Sequence, residues 1–161
     1  MVWFLVTGVD SGAEATRQVS RVNNADGPVV LFDGWCPLCV GTIQFLLRRD
    51  REARIRFAPL DSSTARELLG RCEVAGDDRR LAESGSTVTL IRRGRLHTRS
   101  DAAIRIAAEL PLPWRALTLL RVVPRTLRDR VYALVAKRRH EVWGRFDACH
   151  VPDSADQDRF L

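Results

Sequence analysis

The spacing of apolar positions changes several times along the chain, and each change marks an element. Val29-Val30-Leu31-Phe32 is an unbroken apolar run with two β-branched residues, which predicts a short strand buried on both faces. Beyond it Val40, Ile43, Leu46 and Leu47 recur at helical spacing until Arg48, Arg49 and Asp50, so Pro37 to Arg49 reads as a helix. Arg54 to Ala58 alternates polar and apolar side chains and predicts a second strand. Ser62 or Ser63 suits the cap of a helix carrying Ala65, Leu68 and Leu69 and closed by Gly70. The polar stretch Glu73 to Gly85 reads as a loop. Thr87 to Ile91, the turn Arg92-Arg93-Gly94-Arg95 and Leu96 to Thr98 form a hairpin, with glycine supplying the positive φ of the turn. Ser100 is then expected to cap a helix whose apolar positions Ala103, Ile104, Ala107 and Leu110 stop at Pro111.

The resulting order is βαβαββα. Two βα units, a hairpin and a covering helix give a small α/β sheet with helices on both faces, the order of thioredoxin-like and glutaredoxin-like domains. Residues 1–27 lack a sustained apolar period and read as a flexible leader, 28–111 as the thioredoxin-like core, and 112–161 as a basic helical extension packed on it. In that extension Trp114 to Val122 is strongly apolar, and Pro124 opens a second helical segment. Leu127, Val131, Leu134 and Val135 line one side of this segment, which puts its arginines on the opposite, solvated face.

Composition changes the picture in three ways. Of 26 basic residues against 20 acidic ones, only Lys137 is a lysine, and the excess gathers between Trp114 and Phe146. A basic helical face suggests an anionic membrane surface, an acidic partner or an anionic substrate; nucleic acid is disfavoured, because no binding motif occurs and the aromatics do not interleave with the cations. No stretch reaches the roughly 18 consecutive apolar residues of a membrane span, and Val2-Trp3-Phe4-Leu5-Val6 is too short for the core of a secretion signal. Four cysteines, only two of them closely spaced, do not make a disulfide framework and point to a reducing cytoplasmic setting.

The close pair, Cys36 and Cys39, falls where the first strand turns into a helix. The unpaired N–H groups and the dipole of a helix start stabilise negative charge, so a thiolate at Cys36 is favoured. Pro37 fits the first helical position. Cys39, one turn inward, is expected to face the core and to resolve a mixed disulfide formed by Cys36. Asp33 either exchanges a proton with Cys39 during resolution or hydrogen-bonds the turn before Gly34. Trp35 either shields the thiols and contacts a partner or packs as an ordinary aromatic.

Asp33, Cys36 and Cys39 in LFDGWCPLC, followed in order by FAPLDSSTARELL, HTRSDAAI, VPRTLRDRVYALVAKRR, VWGRFDAC and a terminal RFL, resemble the DCC family of thiol-disulfide oxidoreductases over Val29 to Leu161. The resemblance implies a thioredoxin-like fold and a dithiol-disulfide reaction at Asp33, Cys36 and Cys39, with no cofactor. It implies as partner a disulfide-containing protein or a low-molecular-weight thiol, and names no electron donor. Thioredoxins generally place a cis-proline before the third strand, beside the thiols, but this chain has Gly85-Ser86-Thr87 there. Ser86 or Thr87 takes that place in a trans peptide, or the site does not bind polypeptide in the usual way. Ser100-Asp101, with Arg99, resembles the glutaredoxin segment that holds the carboxylate of a small thiol, or is a plain helix cap.

Cys72 reads as a small apolar filler, and Cys149 as a candidate third redox thiol. Two other classes stay open. One is a zinc module built from Cys36, Cys39 and two of Cys72, Cys149, His97 and His150, although a second closely spaced cysteine pair is missing. The other is a non-catalytic adaptor acting through the basic helices.

Overall fold

A computed structural model of the chain describes residues 27–72, 77–85, 87–148 and 157–161. The expected leader up to residue 26, Ser86, Cys149 and His150 lie outside the described residues. At the centre is β1 (Val29–Phe32), pairing in parallel with β2 (Arg56–Pro59) and antiparallel with β3 (Thr89–Arg92), which pairs antiparallel with β4 (Arg95–Thr98). The sheet order is β2-β1-β3-β4, a thioredoxin-like arrangement. All four β1 residues are buried because alternate side chains enter two cores. Val30 and Phe32 join Phe57 and Leu90 beneath α1 (Pro37–Arg49) and α4 (Arg99–Glu109), whereas Val29 and Leu31 join Ala58 and Ile91 beneath α2 (Ser63–Arg71) and α3 (Asp77–Glu83). At about 1.5–3 kcal/mol for each large apolar side chain buried, these two layers fix the height and direction of the β1–α1 junction.

Local chemistry accounts for several boundaries. Ser62 caps α2, its Oγ accepting from the Ala65 N–H at 3.1 Å. Arg93 and Gly94, with φ of 50° and 70°, make the primed turn that matches the twist of the β3–β4 hairpin. Other elements depart from the sequence expectation. Gly70 lies inside α2, which runs to Arg71 with Cys72 as its C-cap. The polar stretch after it is not all loop, since α3 forms there. Its first turn carries Asp77 and Asp78, it buries only Ala82, and the Asp78 carboxylate accepts from the Thr98 hydroxyl at 2.8 Å. One buried residue leaves almost no periodic signal. Ser100 is not the cap of α4; Thr98 holds that position without a side-chain bond to the helix backbone, and the Ser100 hydroxyl instead meets Asp129.

The C-terminal part differs most. Trp114–Val122 is a 3-10 helix seated against α4 and α1, with Trp114 edge-on to Phe45 at 4.8 Å between ring centroids. In α5 (Arg125–Trp143) the apolar row Leu127, Val131, Leu134 and Val135 is about half exposed or more, while Tyr132, Ala136 and Arg139 turn inward. An arginine that the pattern assigns to solvent is therefore buried, because polar groups at the end of the sheet await it. Among the described residues no helix is long and apolar enough to cross a membrane. The chain ends on the free edge of β2: the Leu161 N–H donates to the Phe57 carbonyl at 2.9 Å, Phe160 stacks by Phe57, and Arg159 pairs with the buried Asp50.

Candidate active site

Phe32 ends β1, and four residues later Cys36 occupies the N-cap of α1 in an extended conformation (φ −101°, ψ 115°), with Pro37 opening the helix. The Val40 N–H donates to the Cys36 carbonyl at 3.0 Å, so Cys39 is carried by the first helical turn. No disulfide joins the two thiols, and a side-chain hydrogen bond links them. The expected exposures are reversed: Cys36 is 0% exposed, whereas Cys39 is half-buried and forms part of a cavity wall. Neighbouring chain crowds the loop that carries Cys36. The Phe146 N–H donates to the Trp35 carbonyl at 2.9 Å, the Arg145 guanidinium lies 5.8 Å from the Trp35 ring centroid, and Gly85 lies against Asp33. Gly85 has φ of 64°, and a Cβ there would meet Leu60 at 3.5 Å and Asp33 at 4.0 Å.

Asp33 makes the turn that its sequence context suggests, and its other carboxylate oxygen faces Arg139. Its Oδ1 accepts from the Trp35 N–H at 2.9 Å, which makes the turn, and its Oδ2 lies 3.8 Å from Arg139 Nη2. Arg139 is the residue that sequence reasoning does not find. It reaches from α5 with Nη1 3.7 Å from Cys39 Sγ and donates through Nη2 to the Gly85 carbonyl at 2.7 Å. Burial, the hydrogen bond with Cys36 and the negative charge on Cys36 together push the Cys39 thiol up to about 12 from 9.0; Arg139 pulls it down and Asp33 pushes it up. The pair therefore gives up its second proton with difficulty, and that proton sits in an S–H···S bond.

Thr87 is buried and helps to anchor α5. Its hydroxyl lies 3.1 Å from Tyr132 Oη and accepts from the Arg99 N–H at 3.0 Å, while the Val88 N–H donates to Tyr132 Oη at 2.8 Å. Tyr132, like Arg139, goes unnoticed in the sequence as a site residue; their one signal is that both fall within the family-like stretch Val123 to Arg139. Asp33, Cys39, Thr87, Tyr132 and Arg139 border one end of a cavity of about 310 Å³, whose remaining wall is almost wholly apolar. Trp35 lies outside it, beside a smaller cavity that has Asp33 in common with the first and is also bordered by Gly85. Ser100 borders neither, its hydroxyl being engaged by Asp129, so the structure does not bring it to the thiols.

The remaining candidate ligands are dispersed. Cys72 packs with Leu68 and Leu69 on the opposite side of the sheet from α1, and burial raises its thiol. His97 pairs with Asp101 at 2.9 Å on β4 and α4. Among the described residues no three His, Cys, Asp or Glu side chains gather as a metal site would require.

A family model described as DCC1-like thiol-disulfide oxidoreductase matches residues 30–145. The chain is 36% identical over 133 residues to the uncharacterised protein YuxK of Bacillus subtilis (strain 168), covering 83% of this chain and 93% of that one. It is also 36% identical over 125 residues to a chloroplastic DCC family protein of Arabidopsis thaliana, covering 77% and 69% of the two chains. No solved structure matches it. With an adjacent Cys36–Cys39 pair on a four-stranded mixed sheet, the chain belongs to the DCC1-like thiol-disulfide oxidoreductase family.

Proposed function

We propose that the protein is a thiol-disulfide oxidoreductase that exchanges its Cys36–Cys39 dithiol for a disulfide by way of a mixed disulfide, in a reducing compartment such as the cytoplasm. The carrying observation is the thiol pair itself: two neighbouring sulfurs linked by a hydrogen bond at the start of α1, with the Arg139 guanidinium beside one of them. A helix start and a cation both favour thiolate, and proximity lets the second sulfur displace whatever the first has captured. In this reading Asp33, which accepts from the Trp35 N–H and faces Arg139, relays the proton that Cys39 holds. The partner is a disulfide-containing protein or a small disulfide, and the chemistry needs no cofactor.

Oxidation of the reduced protein with glutathione disulfide, followed by peptide mass spectrometry, tests this reading. The peptide carrying both cysteines should lose two hydrogens reversibly, and Cys36→Ser and Cys39→Ser should each abolish the change. Two thiols that remain separately alkylatable under oxidising conditions would overturn it. The complete burial of Cys36 favours a second reading, a non-catalytic scaffold that keeps the family fold. That reading requires the inert outcome.

A further inference from the structure

We propose that the apolar cavity beside Cys39 is the substrate chamber, that it admits a small uncharged apolar disulfide, and that Cys39 is the sulfur this substrate meets. The inference rests on the redox reading above and adds to it a substrate class and an order of events.

Access comes first. Cys36 has no exposed surface, while Cys39 stands in the wall of the cavity, so a molecule in the cavity reaches Cys39. The volume of about 310 Å³ lies at the lower end of the roughly 300–1,000 Å³ typical of small-molecule sites. Its body is lined by side chains such as Ile43, Leu46, Ala107 and Trp114, and the partly exposed Leu117 and Val135 border it. The two charged side chains at the cysteine end, Arg139 and Asp33, already face each other, and Arg139 also donates to the Gly85 carbonyl. The rest of the wall offers nothing to offset the desolvation of a carboxylate or an ammonium group, which disfavours a charged tripeptide disulfide.

A polypeptide is disfavoured by a separate observation. An extended substrate pairs with backbone just before β3, but there the Val88 N–H donates to Tyr132 Oη, and the Thr87 hydroxyl is bonded in the same cluster. The segment that would bind a peptide is already bound by α5.

The chemistry balances without exposing Cys36. Once one proton is lost, Cys36 carries the charge and Cys39 the remaining proton. As Cys39 meets the substrate that proton passes across the hydrogen bond to Cys36, and Arg139, 3.7 Å from Cys39 Sγ, stabilises the charge that moves onto Cys39. Cys39 sulfur attacks the substrate S–S bond, which breaks; one thiolate leaves and takes up a proton, and a Cys39 mixed disulfide remains. Cys36 then attacks Cys39 sulfur and releases the second thiolate, which takes up the other proton. Two electrons and two protons pass from the dithiol to the substrate, giving two thiols and the Cys36–Cys39 disulfide.

The test compares two aryl disulfides on the reduced full-length protein, neutral dithiodipyridine and the dianionic dithiobis(nitrobenzoate), each rate divided by that with a short cysteine peptide. The neutral reagent should be favoured, and Ala136→Phe or Ala107→Leu, filling the cavity, should slow it by about tenfold or more and remove the preference. Thermal unfolding reports whether each variant is folded, and either folded variant suffices. In Cys36→Ser the neutral reagent should leave a stable adduct on Cys39, whereas in Cys39→Ser the adduct on Cys36 should form far more slowly. Equal normalised rates for the two reagents, no effect of filling the cavity in a folded variant, or fast adduct formation on Cys36 in Cys39→Ser would overturn the proposal while leaving the redox reading intact. If neither reagent converts the wild-type pair to its disulfide, the redox reading fails and the proposal with it.

Discussion

Arg139 and Cys39 are 100 positions apart in the chain and 3.7 Å apart in space, and what each does depends on the other. The arginine is 7% exposed, so its charge acts on the thiol with little screening by water. Replacing Arg139 by Met should therefore raise the Cys39 thiol further and slow its alkylation at neutral pH, with partial recovery in Arg139→Lys. Removing the Cys36 sulfur by Cys36→Ser should act in the opposite direction, because a hydrogen bond and a negative charge that hold the Cys39 proton disappear. The pH dependence of alkylation in the three variants measures both shifts. The same proton affects stability. Cys39 titrates near 9.0 in an unfolded chain and at about 12 in the fold, so the native state keeps a proton that the unfolded state releases. This contribution is complete below pH 9 and is lost as the pH rises towards 12. Alkaline unfolding of the reduced protein should be steeper than that of Cys39→Ser. At this scale Asp33, Cys36 and Cys39 are legible in the sequence because their spacing is local. Arg139 and Tyr132 are not, since no local pattern says where a distant helix will place one side chain. Even for the legible cysteines, which sulfur is accessible depends on chain that crosses the loop, Phe146 and Gly85 among it.

Elements with a strong period or a strong stop signal are those that sequence reasoning finds. β1, α1 and the β3–β4 hairpin follow from an apolar run, a helical stripe and a glycine turn, within two residues of where they form. The short α3 escapes because it rests on one buried alanine and on its capping charges, and the 3-10 helix Trp114–Val122 escapes because apolar content alone does not distinguish it from an α-helix. The inward face of α5 is chosen by polar contacts rather than by its apolar row, which is why Leu127 and Val131 remain exposed. The cap of α2 is a clear case for mutation: Ser62→Ala removes the acceptor of the Ala65 N–H and should cost about 1 kcal/mol in denaturant unfolding.

Across the whole molecule, the C-terminal chain joins parts that a minimal thioredoxin-like sheet leaves open. From α5 it crosses the cysteine loop at Trp35, and its last residues lie along the β2 edge. There the guanidinium of Arg159 bonds the Ile55 carbonyl and pairs with Asp50, whose carboxylate also accepts from the Ile55 N–H at 2.8 Å. Asp50 is 3% exposed, so Arg159→Ala leaves a buried carboxylate without its cation and should cost about 3–5 kcal/mol, read from the midpoint of chemical denaturation. The loss should be far smaller for the exposed Arg71, whose pairing with Glu67 is largely screened. The terminal RFL thus has a structural task that the sequence presents only as a family-like ending.

The central claim is that Cys36 and Cys39 form one two-electron couple, and a redox titration addresses it most directly. The protein is equilibrated in buffers of stepped reduced-to-oxidised dithiothreitol ratio, quenched with acid, alkylated and weighed. One transition between the dithiol and the Cys36–Cys39 disulfide, with the slope of a two-electron couple and absent in both serine variants, is the predicted result. Two cysteines that stay reduced across the whole range, or that oxidise independently of one another, would contradict it.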